Sequence, residues 1–144
     1  MPTTLQVTFD CADPAAQAAF WGAAVGYELQ PPPEPFESWE AALQAWGVPE
    51  SAWNSRSAVV DPTGVGPRIF FQQVPEGKTA KNRMHLDLHV AGGSTGDERR
   101  RICQAEANRL VELGASITRV VEADGAGEFF VVMADPEGNE FCVD

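Results

Sequence analysis

Strict alternation of apolar and polar residues marks a strand just past the midpoint of the chain. Residues 83–90 read Arg-Met-His-Leu-Asp-Leu-His-Val and contain both histidines of the protein. A period of two is that of a β-strand, whose successive side chains point to opposite faces of the sheet. The pattern predicts an apolar face of Met84, Leu86, Leu88 and Val90 and a polar face of His85, Asp87 and His89.

The residues before this strand predict a strand, a helix and three further extended segments. Residues 5–10 alternate as a half-buried strand does. Asp13 and Pro14 are typical of a helix start, because aspartate caps the first turn and proline fits its first position. Gly26 is typical of a helix end. The helix is expected to bury Ala16, Phe20, Trp21 and Ala24. Extended chain is predicted at 27–30, 57–61 and 68–74.

Residues 31–53 interrupt this order and are predicted to form a helical insert. The insert begins with Pro-Pro-Pro-Glu-Pro, which fits neither a helix nor a central strand. A short helix capped by Ser38 follows. Three of the four tryptophans lie here, at positions 39, 46 and 53. They either pack the insert or form an aromatic wall suited to a planar or apolar ligand.

The residues after the central strand repeat the order of the first half. Thr95 and Glu98 fit a capping box and predict a helix that runs to about Leu113 and is closed by Gly114. Its inward residues are expected to be Cys103, Ala107, Leu110 and Val111. Strands are predicted at 116–121, 128–133 and 140–143, the first two joined by a turn at Asp124-Gly125.

Two Asp-Pro-x-Gly turns support an internal repeat. They span 61–64 and 135–138, and each follows a β-rich run and precedes a strand. Such a turn is stabilised by its aspartate, its proline and its glycine. The order predicts two similar modules, 5–74 and 84–143, within a single domain of residues 1–144. The alternative is an α+β domain in which two common turns coincide.

Composition and charge limit the classes of function. The chain has 144 residues and a net charge of −11, so a nucleic-acid partner is not expected, because phosphate binding needs a basic face. No apolar run approaches the roughly 20 residues that span a bilayer, and the first residues lack the pattern of a signal peptide. We therefore expect a cytoplasmic protein with no membrane partner. The three cysteines have no paired spacing and are expected to be reduced.

These landmarks resemble the vicinal oxygen chelate superfamily, which includes glyoxalase I, bleomycin-resistance proteins and extradiol dioxygenases. The resemblance rests on the helix of residues 13–27, on both Asp-Pro-x-Gly turns and on the final segment 135–141. It implies an α+β fold of two tandem βαβββ modules. Their curved mixed sheets would enclose a shared cleft, with helices on the outside. Members often dimerise, so the resemblance implies a homodimer.

The resemblance also implies four metal-ligand positions, one on the first and one on the last strand of each module. These are typically His and Glu, whereas this chain has Gln6, Gln72, His85 and Cys142. Gln73 stays open as an alternative to Gln72. Neutral amides and a thiol lack the anionic oxygens that hard cations prefer. If a metal binds, its expected ligands are His85 and Glu140, which lies two residues before Cys142 on the same strand face.

Each candidate residue also has a simpler structural role. His85 is either a hydrogen-bonded cleft residue or a ligand or general base. Cys142 is either a small buried apolar residue or a nucleophile. Lys78, Lys81 and Arg83 form either a solvated loop or a cationic rim for an anionic substrate. The predicted ligand-binding residues are Gln6, Thr8, Gln72, His85, Asp87, Cys142 and Trp46.

The sequence favours a small-molecule-binding protein with a degenerate metal site. The alternative is a metal-dependent lyase, isomerase or dioxygenase that acts on a small vicinal-oxygen substrate. The expected cofactor is accordingly none or a weakly bound divalent metal ion, and the expected partner is a small molecule.

Overall fold

A computed structural model describes residues 1–125 and 127–144 and divides them into two compact units. The first unit is Met1–Gly77 and the second is Lys78–Asp144. Each unit contains one four-stranded sheet. In the described residues, no helix combines the length and the apolar character needed to cross a membrane.

The first unit contains four strands and two α-helices. The strands are β1 (Val7–Cys11), β2 (Glu28–Leu29), β3 (Arg56–Val60) and β4 (Ile69–Gln73). The α-helices are α1 (Pro14–Val25) and α2 (Trp39–Ala45), and a 3₁₀ helix spans Glu50–Ser55. The sheet order is β1-β4-β3-β2, with β1 and β4 parallel and the other pairs antiparallel. Trp21 on α1 and Phe71 on β4 are among its fully buried residues.

The second unit repeats this topology. Its strands are β5 (Asp87–Leu88), β6 (Ser116–Val121), β7 (Phe130–Ala134) and β8 (Glu140–Val143), and its helix is α3 (Gly96–Glu112). The sheet order is β5-β8-β7-β6, again with only the first and last strands parallel. The shared order confirms the α+β fold of two tandem modules with mixed sheets.

Local capping explains why the helices lie where the sequence predicts them. The Asp13 carboxylate accepts a hydrogen bond from the Ala16 amide at 3.2 Å, and the Ser38 hydroxyl accepts one from Ala41 at 3.1 Å. Gly26 ends α1 with a φ of 75°, a conformation that L side chains disfavour. Both ends of α1 and the start of α2 are therefore determined by single local residues.

The central strand is shorter than the alternation predicts. Only Asp87–Leu88 is ladder-paired, and Met84, predicted to face the core, is 88% exposed. Val90 is exposed as well. β5 lies at the edge of its sheet, and its partner β8 spans only four residues, so the length of β5 is set by β8 rather than by its own alternation.

Four expectations for side chains were also wrong. Ala16 on α1 is exposed, and Gln17 and Ala18 are buried instead. Val111 on α3 and Leu5 before β1 are exposed. Apolar character alone therefore does not decide which helix residues are buried, because the sheet covers only part of each helix. Thr95 precedes α3 but its side chain makes no capping hydrogen bond.

Candidate functional site

The polar face of the second sheet lines a cavity of about 410 Å³. The face is set by strand register, since Asp87 on β5 and Val132 on β7 both pair with Cys142 on β8. Phe141 and Val143 point to the opposite, buried side of β8. The cavity is lined by Lys81, His85, Asp87, Arg119, Phe130, Val132, Glu140, Phe141, Cys142 and Asp144.

Three predicted residues meet in this cavity. His85 Nδ1 lies 3.0 Å from Asp87 Oδ1. Potential ligand atoms of His85, Asp87 and Cys142 all lie within 4.8 Å of one another. This hydrogen bond fixes the orientation of the imidazole ring. The other ring nitrogen, Nε2, is therefore left to face a different partner. The three side chains therefore offer a ligand a ring nitrogen, a carboxylate oxygen and a sulfur.

Cys142 is held in its neutral form in this setting. Burial raises the pKa of its thiol, and the Asp87 carboxylate raises the pKa further through its charge and a hydrogen bond. A thiolate is the reactive form of cysteine. A raised pKa therefore favours a hydrogen-bonding thiol over a nucleophile at neutral pH.

Glu140 also lines the cavity, but its carboxylate is bound within the protein. One oxygen accepts a hydrogen bond from the backbone amide of Asn82 at 2.9 Å, and the other pairs with Lys78 Nζ at 3.1 Å. The Asn82 amide, together with Lys78, lowers the pKa of Glu140 to about 2. Glu140 is not part of the group formed by His85, Asp87 and Cys142.

His89 lies apart from that group and contacts the Asp144 carboxylate through Nδ1. Positions i and i+4 of a strand lie about 13 Å apart, so His85 and His89 are not expected to share one ligand. His85 therefore carries the candidate chemistry of this face, and His89 offers a matched comparison.

The other predicted polar residues lie in the first unit, on the exposed face of β1 and β4. Gln72 Nε2 donates to Asp10 Oδ1 at 2.6 Å, and Asp10 and Gln72 are register partners. Gln6 Nε2 donates to Thr8 Oγ1 at 3.4 Å. Gln73 has the opposite phase and donates to the Ala12 carbonyl. Gln72 is therefore the glutamine that shares a face with Thr8, whereas a common cleft with His85 stays a prediction.

The tryptophans of the insert have different surroundings. Trp39 Nε1 donates to the Gln30 carbonyl at 2.7 Å, and Trp53 Nε1 donates to the Val48 carbonyl at 3.0 Å. Trp46 is 54% exposed and makes edge contacts with Phe36 and Trp39. Trp39 and Trp53 thus hold the insert in place, while Trp46 presents an open aromatic face.

Two basic residues on these faces were not predicted as site residues. Arg119 lines the cavity of the second unit, and Arg68 donates to Gln6 Oε1 at 2.9 Å in the first. The register of β6 shifts between Ile117 and Arg119. Simple alternation therefore does not predict which face of the sheet Arg119 lies on. Arg68 precedes β4, and its phase matches that of Gln72, which was the available signal.

The resemblance implies a divalent metal ion, and the donors at the four implied positions do not fit a hard cation. The Gln6 oxygen already faces the guanidinium of Arg68. Gln72 offers a neutral amide, and Cys142 offers a sulfur, which is a soft donor. Hard cations select several anionic oxygens, which this set lacks.

A family model for the glyoxalase-like domain matches residues 6–143. Comparison with curated protein sequences found no significant match. Among solved structures, an enzyme of the glyoxalase/bleomycin resistance protein/dioxygenase family from Burkholderia phytofirmans is similar. Its TM-score is 0.62 at 13% identity, and the match covers 96% of this chain and 94% of that chain.

Two further structures have the same fold. A glyoxalase-related enzyme from Fulvimarina pelagi matches with a TM-score of 0.61 and 16% identity, over 99% of this chain and 87% of that one. A variant of the fosfomycin resistance protein FosX from Listeria monocytogenes, complexed with Mn(II) and 1S,2S-dihydroxypropylphosphonic acid, matches with a TM-score of 0.63. Its identity is 10%, and the coverage is 99% of this chain and 90% of that one. At such identities the likeness extends to the fold.

Proposed function

Since this chain belongs to the family of glyoxalase-like domains, we propose that it is a small-molecule-binding protein with a degenerate metal site. The observation that carries the proposal is the cavity of the second unit. It offers about 410 Å³, a volume in the usual range for small-molecule sites. Of the three carboxylates in its lining, Glu140 is already bound by Lys78 and the backbone amide of Asn82, which favours an organic ligand over a metal ion.

The lining of the cavity suits a ligand with both apolar and polar parts. Phe130 and Val132 provide apolar surface, and His85 and Asp87 provide hydrogen-bonding groups. Small-molecule sites commonly combine an apolar lining with a few polar groups that fix orientation. The His85–Asp87 pair supplies that orientation here.

The alternative function is a metal-dependent lyase, isomerase or dioxygenase. One observation favours it: ligand atoms of His85, Asp87 and Cys142 lie within 4.8 Å of one another. In addition, the similar FosX structure contains Mn(II). In this alternative the acidic ligand nearest to His85 is Asp87 rather than the expected Glu140.

Metal titration distinguishes the two functions. The parent protein and His85→Ala are titrated with Mn²⁺, Ni²⁺ and Zn²⁺ by calorimetry, after purification without a chelator or a histidine tag. His89→Ala is the matched control, because it removes the other histidine. We expect equally weak binding by all three proteins. Tight stoichiometric binding that is lost only in His85→Ala would contradict the binder and support the enzyme.

A ligand screen tests the binding function directly. A library of neutral and charged fragments is added to isotopically labelled protein, and amide shifts are followed by NMR. We expect hits that shift residues around the cavity, and Val132→Trp should abolish them by filling it. A library without any hit that depends on Val132 would contradict the proposed function.

We also propose a homodimer. Each sheet is open, with β1 and β2 at the edges of one and β5 and β6 at the edges of the other. Open edges offer backbone groups that a second copy is able to cover. Sedimentation at micromolar concentration should show a species of twice the chain mass, and a monomer alone would refute this.

A further inference from the structure

Arg68 is fixed in place by neutral groups. Its Nε donates to Gln30 Oε1 at 2.7 Å, and its Nη1 donates to Gln6 Oε1 at 2.9 Å. Its guanidinium carbon lies 5.1 Å from the centre of the Phe70 ring. Two hydrogen bonds and one ring contact hold the planar guanidinium in a single orientation. Arg68 is partly buried.

The charge of Arg68 has no acidic partner among the described residues. Three exposed arginines of α3 do have one: Arg100 pairs with Glu122, Arg101 with Glu98, and Arg109 with Glu106. Arg99, which is partly buried like Arg68, donates to the Phe129 carbonyl instead. The chain has 21 acidic residues and only 10 basic ones, so an unpaired, partly buried arginine is not explained by a shortage of carboxylates. A guanidinium that is partly screened from water and has no counter-ion is a suitable partner for an anion.

The two hydrogen bonds to glutamine use only part of the donor capacity of the guanidinium. An arginine has five N–H donors in one plane, and Gln30 and Gln6 take two of them. The remaining donors match the paired oxygens of a carboxylate or a phosphate-type group. Lys78, by contrast, is engaged by Glu140 and the Ala80 carbonyl. The sequence offers the loop of Lys78, Lys81 and Arg83 for this role, with a solvated loop as the alternative.

The tryptophans of the insert are connected to Arg68 through Gln30. The backbone carbonyl of Gln30 accepts a hydrogen bond from the Trp39 indole, while its side chain binds Arg68. Trp39 in turn contacts Trp46, whose ring is exposed. Gln30, which directly follows β2, therefore connects the cationic group to the aromatic insert, and this arrangement favours a ligand with an acidic group and an apolar or aromatic body.

We propose that Arg68 binds an oxyanion, and that the face of the first unit around it takes a small organic anion. This inference goes beyond the proposed function, because it assigns a ligand class to the first unit. Carboxylates and phosphate-type groups share the required chemistry, so the probes separate them.

The test compares isosteric anionic and neutral probes. Benzoate, phenylphosphonate and the neutral benzamide are titrated against the parent protein, Arg68→Gln and Arg68→Lys by NMR. We expect at least one of the two anions to bind the parent at least tenfold more tightly than benzamide. Arg68→Gln should lose that preference, and Arg68→Lys should keep part of it, because lysine retains the charge without the planar fork. Arg101→Gln, with the same charge change on the surface of α3, should behave as the parent.

A second variant keeps the test valid if Arg68→Gln does not fold. Gln6→Glu places a carboxylate where Gln6 Oε1 now accepts from Arg68, so it should occupy the guanidinium and abolish the preference for anions. Equal binding of benzamide and both anions, or a preference that survives Arg68→Gln and Gln6→Glu, would overturn the inference and leave the binding function intact. No binding of any probe would also overturn it, and the fragment screen with Val132→Trp then judges the binding function separately.

Discussion

Glu140 shows how one side chain at the cavity depends on backbone hydrogen bonding. Its pKa is lowered to about 2, from an ordinary value of 4.5, by the Asn82 amide and by Lys78. We expect Glu140→Gln to lower the free energy of unfolding at neutral pH by about 1 kcal/mol, because it removes a charge-assisted hydrogen bond and a partly exposed ion pair. Urea unfolding of parent and variant measures the difference.

The pH dependence follows from the direction of the shift. A lowered pKa in the folded state means that the stabilisation is present above the ordinary pKa and is lost as the pH falls toward the folded value. The difference between parent and Glu140→Gln should therefore stay constant above about pH 5 and shrink below it. Glu76→Gln, an exposed change in the connector, is the control, and a difference that does not vary with pH would contradict the assignment.

Cys142 and Asp87 give a second residue-level prediction. Since the Asp87 carboxylate helps to raise the pKa of the Cys142 thiol, Asp87→Asn should lower that pKa. The pH profile of iodoacetamide alkylation at Cys142, followed by mass spectrometry, should shift to lower pH in the variant. Cys11 and Cys103 are buried and should stay unmodified in both proteins. An unchanged profile would show that Asp87 does not act on the thiol.

Single residues also show how far the sequence could predict the site. Strand phase placed Gln72, His85 and Cys142 on polar faces, because phase is a local property. It could not bring Asp87 and Cys142 together, since that contact depends on the register of two distant strands. Arg68 was missed although it shares the strand phase of Gln72, because its contacts with Gln6 and Gln30 join distant parts of the chain.

The two Asp-Pro-x-Gly turns are the repeated element of this fold. In both, the glycine amide donates to the aspartate carbonyl at 2.9 Å, and the aspartate carboxylate accepts from the amide two residues on. They differ in burial, because Asp135 is 3% exposed and also binds Asn139, whereas Asp61 is only partly buried. We therefore expect the two turns to contribute unequally to the free energy of unfolding.

That difference predicts unequal effects of the same substitution. Asp135→Ala should destabilise the protein by about 1–3 kcal/mol, because it leaves the partly buried amides of Glu137 and Asn139 without an acceptor. Asp61→Ala should have a smaller effect, since water is able to reach its partners. Chemical denaturation of both variants and the parent makes the comparison. A larger loss for Asp61→Ala would contradict it.

Among the elements, those with local end signals were predicted best. The start of α1 follows from Asp13 and Pro14, and its end follows from Gly26. The length of β5 was wrong because it is set by the strand beside it rather than by its own alternation. Pairing partners are a tertiary property that a single strand's sequence does not contain.

The charge of the whole chain predicts a response to salt. At −11 the folded molecule repels itself, and salt screens that repulsion. Raising NaCl from low to moderate concentration at pH 7 should therefore increase the free energy of unfolding, on the order of 1 kcal/mol. Near the isoelectric point of about 4.5 the effect should vanish. A decrease with salt at pH 7 would mean that favourable ion pairs outweigh the repulsion.

The parallel pairing of first and last strands has a consequence for how the chain acquires its structure during synthesis. Val7 pairs with Ile69, 62 residues later, and Asp87 pairs with Cys142, 55 residues later. Closing such long loops lowers chain entropy before any pairing compensates for it. Neither sheet is therefore complete until its last strand has left the ribosome. A nascent chain stopped before Ile69 holds β1 without its only neighbour, and its unpaired backbone is open to chaperones or to aggregation.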